Sequence, residues 1–410
     1  MKSIRQQLGL TTCALLSQSA NALEAVDNAW EIDSTILHYS EVDRISVTKA
    51  VATVKGVISD EDSVTLKTVY DTMSGATPSG TVINKTGNIS FTGASGGGVA
   101  TNGKVDSLAT FDDTRIALSL DWNHQASREL GYQFNGALSV ENDYRSFSVG
   151  ATLNREFNHK TMTLTAGLAG TYDQIFRVGN NDTPGQLTLV TDAISLEAGE
   201  KTTVDGMVGL TYVVNRRTVS QFNLGLSLSQ GYLTDPYKLV SIVDANNIEY
   251  EQYTEKRPGS RLRYTFSAHV NHQEYPSNKI YHGSYRFYAD DWGIRSHTLK
   301  GSINMALDSN SYIEPNLRLY HQSAADFYRN SFVFDPPNPV LVQSVLPEYL
   351  SADYRLDRSN AITLGATYGV RGARNTHLRL RLQLVHWAYD KSEYNTMNVF
   401  VLQASYGKKF

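Results

Sequence analysis

The chain has 410 residues, 41% of them hydrophobic and 19% charged, and its formal net charge is −4. This balance gives no bulk basic field, so nucleic acid is excluded as a partner. The sequence contains no apolar run of about 18 residues, which excludes an ordinary transmembrane helix. It does not exclude a membrane β-barrel, because alternating strands average out in any hydropathy window.

The N-terminus has the features of a secretory signal. A basic start at Lys2 and Arg5, a short apolar core and the A-x-A cleavage sequence "ANA" predict a signal peptide over residues 1–22. After the signal peptide, residues 23–410 are expected to form a single domain. Cys13 is the only cysteine and would leave with the signal, so the mature chain has no disulfide, cysteine metal site or cysteine nucleophile.

Apolar and polar residues alternate almost everywhere after residue 114. In "RIALSLDWN", Ile116, Leu118, Leu120 and Trp122 share one face. The same period of two appears in "YQFNGALSVEND", "SQFNLGLSLSQ", "RLRYTFSAHVN", "NLRLYHQ" and "HLRLRLQLVHW". A strand places such residues on one face, whereas a helix scatters them. We therefore expect the leucines of the last stretch to face lipid, and Arg379 and Arg381 to face a lumen.

The connections between these strands are of two kinds. Short polar turns alternate with long loops, which cover roughly 74–113, 177–202, 233–259 and 326–348. This is the layout of an outer-membrane β-barrel, with short periplasmic turns and long extracellular loops. A soluble β-sandwich also alternates, but Tyr and Trp near the strand ends and strands of about 10–13 residues favour a membrane barrel. The full charges in mid-strand also require a face on water or on a polar network and not a packed core.

The number of strands is set by parity. The patterns divide into 17 strands by our count, with 29–45 and 349–370 the uncertain divisions. A bacterial barrel with both ends in the periplasm needs an even number, so the sequence predicts 16 strands within a range of 14 to 18.

The last strand carries an assembly signal. "NVFVLQASYGKKF" ends on Phe410, and Tyr406 shares its face, although Lys408 interrupts the apolar register. A terminal aromatic on an alternating strand resembles the signal of bacterial outer-membrane barrels. It implies the outer membrane of a Gram-negative bacterium, its lipid, and the barrel assembly machinery as partners.

Several stretches together resemble one family. They are "YDTMSGATP", "FDDTR", "SVENDYRS", "YRFYADDWGIRSHTL", "HQSAADFY" and "LPEYLSADYRL", of which "SGATP" and "YRFYADDWGI" are the most specific. From about residue 30 to its end the chain resembles a domain-of-unknown-function family of Gram-negative outer-membrane barrels. The resemblance implies no established activity. The genes of that family often lie beside those of a thioredoxin-like protein, a small lipoprotein and a periplasmic flavin transferase, which implies an exported redox or cofactor-handling context.

Polar residues collect at the predicted extracellular lip if the first strand runs upward from the periplasm. The carboxylates are Asp71, Asp112, Asp113, Glu141, Asp143, Asp290, Asp291 and Asp326. Two ladders on neighbouring upward strands are Arg286, Tyr288 and Asp290, and Arg318, Tyr320 and Gln322. The carboxylates could hold Ca²⁺ through oxygen ligands, and the ladders could orient an anionic or aromatic solute. The plainer and favoured reading is that these networks rigidify the wall by charge-assisted hydrogen bonds.

The sequence favours a non-catalytic barrel without a cofactor, acting as a channel or as a scaffold for a partner. The Gly-rich loop 74–113 is the expected plug. Seven arginines predict a positive lumen and a mild preference for anions: Arg261, Arg263, Arg286, Arg318, Arg355, Arg379 and Arg381. One alternative is a component of a redox system, partnered by the thioredoxin-like protein or the lipoprotein. A less favoured alternative is an outer-membrane enzyme, which needs Ser, His and an acid on the lipid face.

Overall fold

The computed structural model describes residues 30–82, 108–176, 187–189, 199–334 and 345–410. The predicted signal peptide and residues 83–107 of the expected plug lie outside these ranges. No helix in the described residues is long and apolar enough to cross a membrane.

Nineteen strands make up the described chain. They are β1 (Trp30–Glu41), β2 (Ile45–Val57), β3 (Asp62–Pro78), β4 (Leu108–Gln125), β5 (Leu130–Val140), β6 (Tyr144–Phe157), β7 (Met162–Ile175), β8 (Gly199–Asn215), β9 (Thr218–Gly231), β10 (Leu239–Val243), β11 (Glu249–Thr254), β12 (Ser260–Gln273), β13 (Ile280–Asp290), β14 (Arg295–Ala306), β15 (Ser311–Gln322), β16 (Phe332–Val333), β17 (Ser359–Arg371), β18 (Thr376–Tyr389) and β19 (Thr396–Lys409). All but β10, β11 and β16 form one closed antiparallel barrel of 16 strands. The predicted fold and strand number are confirmed.

The barrel closes where its first strand meets its last. β1 pairs with β19 from Glu31 opposite Lys409 to Glu41 opposite Val399. Every other barrel strand pairs with its neighbours in the chain, so both ends of the barrel chain lie at the rim that carries the short turns. The uncertain stretch 29–45 is resolved as β1, a tight turn and the first residue of β2.

The faces of the strands follow the period of two. In β18, Leu378, Leu380, Leu382 and Leu384 are 43%, 42%, 45% and 57% exposed on the outside of the barrel. The residues between them, Arg379 and Arg381 among them, therefore lie on the lumen side. The opposite assignment would leave guanidinium groups on the apolar exterior, which is why this register is fixed.

The C-terminal aromatics also lie outside the barrel. Tyr406 and Phe410 are 47% and 61% exposed. The Lys408 ammonium lies 4.3 Å from the centre of the Phe410 ring, so the lysine that interrupts the apolar register packs over the terminal aromatic. The role of these residues as an assembly signal stays a prediction.

The loops at the other rim depart from the sequence prediction. The loop predicted over 74–113 is too wide, because β3 continues to Pro78 and β4 begins at Leu108. Parallel and antiparallel pairing joins β10, β11 and β16 into a separate three-stranded sheet. The apolar run "LVSIV" of β10 does not alternate, which is typical of a strand covered on both faces, and Val240, Ile242 and Val243 are 0% exposed.

This sheet belongs to a larger body at the mouth of the barrel. We call the described residues 232–259, 323–334 and 345–358 the plug. A 3₁₀ turn over Tyr354–Leu356 ends its last segment immediately before β17. The described plug thus comes from two loops other than the one expected, β9–β12 and β15–β17, and residues 79–82 of the expected loop pack against it.

Candidate functional site

The plug is joined to the end of β3 by backbone and side-chain hydrogen bonds. The Leu239 N–H donates to the carbonyl oxygen of Ser79 at 2.9 Å. The Val82 N–H donates to the Ser241 hydroxyl at 3.0 Å. The Lys238 ammonium donates to the carbonyl of Pro78. The chain leaving β3 therefore continues directly into contact with β10.

On β18 and β19 the plug is anchored by aromatic packing. Tyr354 packs in a buried cluster with Trp387, Tyr389 and Met397, which lie on the lumen faces of β18 and β19. The rings of Tyr354 and Tyr389 meet edge to face with centroids 5.3 Å apart, a favoured aromatic geometry.

A third contact lies at the turn between β13 and β14. Tyr328 and Leu356 of the plug pack with Trp292 and Ile294 of that turn. The Asp326 N–H donates to the Trp292 carbonyl at 2.9 Å. Because the plug is held from β3, from β13–β14 and from β18–β19, it lies across the mouth of the barrel.

Six charged side chains form the interior of the plug; we call them the ion cluster. They are Asp235, Lys238, Glu255, Arg257, Asp353 and Arg355. The Arg257 guanidinium lies 2.7 Å from Glu255 and 2.8 Å from Asp353. Three acids face three bases, so the cluster is neutral when all six are ionised. Buried charges are tolerated when they are paired in this way.

Arg355 ties the segments of the plug together. Its Nε donates to both carboxylate oxygens of Asp353, at 2.8 and 2.7 Å, and its Nη2 donates to Asp235 at 2.6 Å. The sequence placed Arg355 on the lumen wall. The structure places it in the plug, because residues 345–358 fold over the mouth before β17 begins.

The electrostatics of the ion cluster follow from burial and from the partner charges. Burial lowers the pKa of Lys238 to about 8. Burial also opposes ionisation of Asp353, but Arg355, Lys238 and Arg257 outweigh it and hold the pKa of that carboxyl far below its usual range. Burial raises the pKa of Glu255. The bases therefore keep Asp353 ionised at any ordinary pH.

Next to the plug lies a cavity in the upper lumen. It encloses about 1670 Å³ of empty space, including its opening to solvent. Its lining joins Asp235 and Arg257 of the ion cluster to lumen-facing residues of β4 to β8 and of β12. A solute that passed the plug would enter this polar space.

Ion pairs between neighbouring strands line the cavity. Arg115 lies 2.7 Å from Asp71. Lys201 lies 3.0 Å from Asp173, and its ammonium also donates to the Tyr144 hydroxyl at 3.0 Å. These pairs are almost fully buried and hydrogen-bonded, which fits the rigidifying role that the sequence favoured for the lumen network.

The carboxylates predicted at the lip do not form a single cluster. Within the described residues one group lies close enough to share a cation: oxygens of Asp113, Glu141 and Asp143 lie within 4.8 Å of one another. Asp71 is instead paired with Arg115 and with Lys49. The alternation of β4 separates the two neighbours predicted to act together, since Asp112 is exposed and Asp113 buried.

The other carboxylates lie on the far side of the barrel. Asp290 lies 2.5 Å from Arg261 and accepts from the Tyr288 hydroxyl at 2.6 Å. Asp291 and Asp326 are exposed at or beside the turn between β13 and β14. The calcium hypothesis is thereby reduced to the group Asp113, Glu141 and Asp143.

The two ladders face the lumen, as predicted, but their upper ends support the plug. The Tyr320 hydroxyl donates to Gln322 at 2.6 Å. The Gln322 amide donates to the carbonyls of Arg355 and Asp357 at 2.9 and 2.6 Å. Arg286 and Arg318 lie lower in the lumen, on the wall of a second cavity. Each ladder therefore divides into a structural upper end and a cationic lower end.

Comparison with known proteins supplies a family for this plugged barrel. The family model described as "Protein of unknown function (DUF3570)" matches residues 5–399. The chain belongs to this family. No curated protein matches the sequence.

Several solved structures resemble this DUF3570 chain at low identity. A "Bacterial polysaccharide outer membrane secretin" is 8% identical, with 93% of this chain and 98% of that chain covered and a TM-score of 0.45. The siderophore receptor PirA from Acinetobacter baumannii is 10% identical, with 88% and 53% covered and a TM-score of 0.45. The "CymD monoaromatic hydrocarbon channel" is 8% identical, with 94% and 89% covered and a TM-score of 0.40. Function has to be argued from the geometry of the DUF3570 chain itself.

The stretches that carried the family resemblance meet at the plug. "SGATP" is the upper end of β3, whose Pro78 accepts from Lys238. "YRFYADDWGI" supplies Trp292 to the third contact, and "LPEYLSADYRL" contains Asp353 and Arg355 of the ion cluster. The ion cluster as a unit was not predicted from the sequence. The charges of "DPYK", "EKRP" and "SADYRL" were its visible signal, but nothing local shows that these segments meet.

On the outer face of the barrel, His386 bears on the enzyme hypothesis. Its Nδ1 lies 2.8 Å from the Asn398 side-chain oxygen, so its partner is an amide rather than a serine. The redox context, the thioredoxin-like protein and the small lipoprotein stay predictions.

Proposed function

We propose that this protein is an outer-membrane transport barrel whose extracellular mouth is closed by the plug and whose lumen favours small anionic solutes. The outer-membrane location is supported by the exterior. Leu138, Leu168, Leu224 and Leu364 are 53%, 67%, 62% and 57% exposed on different strands. A soluble protein rarely exposes a continuous apolar surface of this kind, whereas lipid covers it.

The preference for anions is supported by lumen cations that lack acidic partners. Among the described residues, Arg286, Lys300, Arg379 and Arg381 have no carboxylate within 4.0 Å. Positive charge on a low-dielectric wall attracts anions and repels cations. The direction agrees with the expectation from sequence, and its measurement is the ratio of Cl⁻ to K⁺ permeability.

The proposal that the mouth is closed rests on one observation, which is the neutral, buried ion cluster that joins two plug loops next to a polar cavity. Asp235 and Arg257 come from the β9–β12 loop, and Asp353 and Arg355 come from the loop before β17. Charges that are paired in this way are stable while the loops stay together and costly when one partner leaves. The plug is therefore expected to be either docked or released, with few intermediate states.

The chain offers a clean variant for testing the plug. The Gly231 N–H donates to the Gly259 carbonyl at 2.8 Å, so the ends of the β9–β12 loop already meet. Replacing residues 233–257 by a short Gly–Ser turn removes β10, β11 and four of the six members of the ion cluster without stretching the barrel. The periplasmic loop 274–279, replaced in the same way, is the control.

The experiment is single-channel recording in planar bilayers. The protein used is one that passes the heat-modifiability test for a folded barrel. We expect the wild type and the control to conduct rarely, and the plug variant to conduct steadily with Cl⁻ preferred over K⁺. Steady conductance by the wild type would contradict a closed mouth. A silent but folded plug variant would contradict transport through this lumen.

A further inference from the structure

A second cavity lies in the lumen on the wall formed by β8, β9 and β12 to β15. It encloses about 1000 Å³ of empty space, including its opening to solvent. Arg263, Arg286, Lys300 and Arg318 line it, together with Asp205 as its one carboxylate. Asp205 and Arg263 also line the cavity next to the plug, so the two spaces adjoin there.

The strand register places like charges side by side in this cavity. Lys300 on β14 lies directly opposite Arg318 on β15. Arg286 on β13 lies opposite Thr298, two residues from Lys300 on the same face. Like charges that face each other across strands destabilise a sheet unless a counter-charge is present. Within the described chain no carboxylate lies within 4.0 Å of Arg286 or Lys300 to supply it.

Arg263 adds a buried donor to the same space. It is only 7% exposed, and its Nη2 donates to the Ser229 hydroxyl. Its Nε has no hydrogen-bond partner among the described residues. A buried guanidinium N–H without an acceptor is costly, and an anionic oxygen is the acceptor it favours.

The rest of the lining consists largely of small polar side chains. Hydroxyl groups of Thr265, Ser267, Ser284 and Thr298 stand among the cations. Hydroxyls donate to anionic oxygens without adding charge, and guanidinium groups match the geometry of carboxylate and phosphate. The cavity therefore combines net positive charge, an unsatisfied buried donor and neutral donors on one wall.

We propose that this cavity is an oxyanion site, which holds a carboxylate or phosphate group of a small solute during its passage through the lumen. The proposal rests on the transport function proposed above and names its class of solute. It differs from a diffuse positive lumen, because four cations on neighbouring strands act on one bound group.

The test is calorimetric titration of the folded, detergent-solubilised full chain with inorganic phosphate, and separately with succinate, in a buffer low in competing anions. We expect saturable binding of at least one of the two anions. The variant Lys300→Gln should weaken it by about tenfold, as expected for the loss of one charge-assisted hydrogen bond. The matched control Arg379→Gln removes a lumen cation of β18 that does not line the cavity, and it should leave binding unchanged.

A second readout separates a site from general electrostatics. Without added anion, Lys300→Gln should raise the melting temperature, because it removes the repulsion between Lys300 and the like charge of Arg318 directly opposite. No binding by the folded wild type, or equal loss of binding in both variants, would overturn the oxyanion site. The titration does not require an open plug. Binding in a barrel that never conducts would therefore count against the transport function and leave the site standing.

Discussion

The substitution Asp353→Asn is the sharpest test of the ion cluster. Asp353 is 1% exposed, and it accepts from Arg257 Nη2 at 2.8 Å and from Arg355 Nε at 2.7 and 2.8 Å. Asparagine keeps the shape and one acceptor oxygen but removes the charge. Three bases then face two acids, so one buried positive charge is left without a partner.

The magnitude follows from the cost of leaving a buried charge without its partner. Breaking one side of a buried ion pair costs about 3–5 kcal/mol. The remaining amide oxygen places this change near the lower end, about 3 kcal/mol. Because about 1.4 kcal/mol corresponds to a factor of ten, the ratio of released to docked plug should rise by about a hundredfold. The hydrogen bonds between the barrel strands are untouched, so the protein should still pass the heat-modifiability test.

Two assays report this change. Amide hydrogen exchange should show faster exchange in β10, while the exchange of β6 in the barrel wall stays as in the wild type. Open probability in planar bilayers should rise in parallel. The control is Asp60→Asn, in the exposed turn between β2 and β3. A folded Asp353→Asn protein with wild-type β10 exchange and wild-type conductance would refute the role of the ion cluster.

A double-mutant cycle assigns the effect to the pair. Arg257→Gln alone should also release the plug, since it leaves Glu255 and Asp353 short of positive charge. The combined variant should cost less than the sum of the two single changes, because it restores neutrality. Strict additivity would show that the two side chains do not act on each other.

Three further predictions follow from single positions. Below pH 8, Lys238 is charged in both the docked and the released plug, but between pH 8 and about 10.4 it is neutral only in the docked plug. Rising pH should therefore stabilise the docked plug by up to about 3 kcal/mol. Lys238→Met should abolish this pH dependence, and an identical pH dependence of β10 exchange in both proteins would contradict the assignment. The calcium hypothesis predicts that Ca²⁺ raises the melting temperature of the wild type but not of Asp143→Asn; an unchanged wild-type melting temperature would end it. Deletion of Phe410 should lower the folded fraction in cells but not refolding in detergent, because the exposed ring contributes little to the barrel; equal losses in both would indicate a role in the fold instead.

The sequence by itself determined the barrel and its two faces. Alternation is a local property, so residues such as Leu380 and Arg381 reveal their sides without knowledge of any partner strand. The parity of a closed sheet then excludes the 17 strands of the direct count and leaves 16 as the prediction within 14 to 18. The sequence also identified the Arg and Tyr ladders, because each ladder lies within one strand.

Only the tertiary structure decided what closes and lines the barrel. Arg257 and Asp353 are separated by 96 residues and Asp235 and Arg355 by 120, and no local pattern says that these loops meet. Lys300 gains its meaning from lying opposite Arg318, which depends on register between strands. Periodicity specifies which way a side chain points, whereas its neighbours are fixed by loop docking and strand pairing, which join residues far apart in the chain.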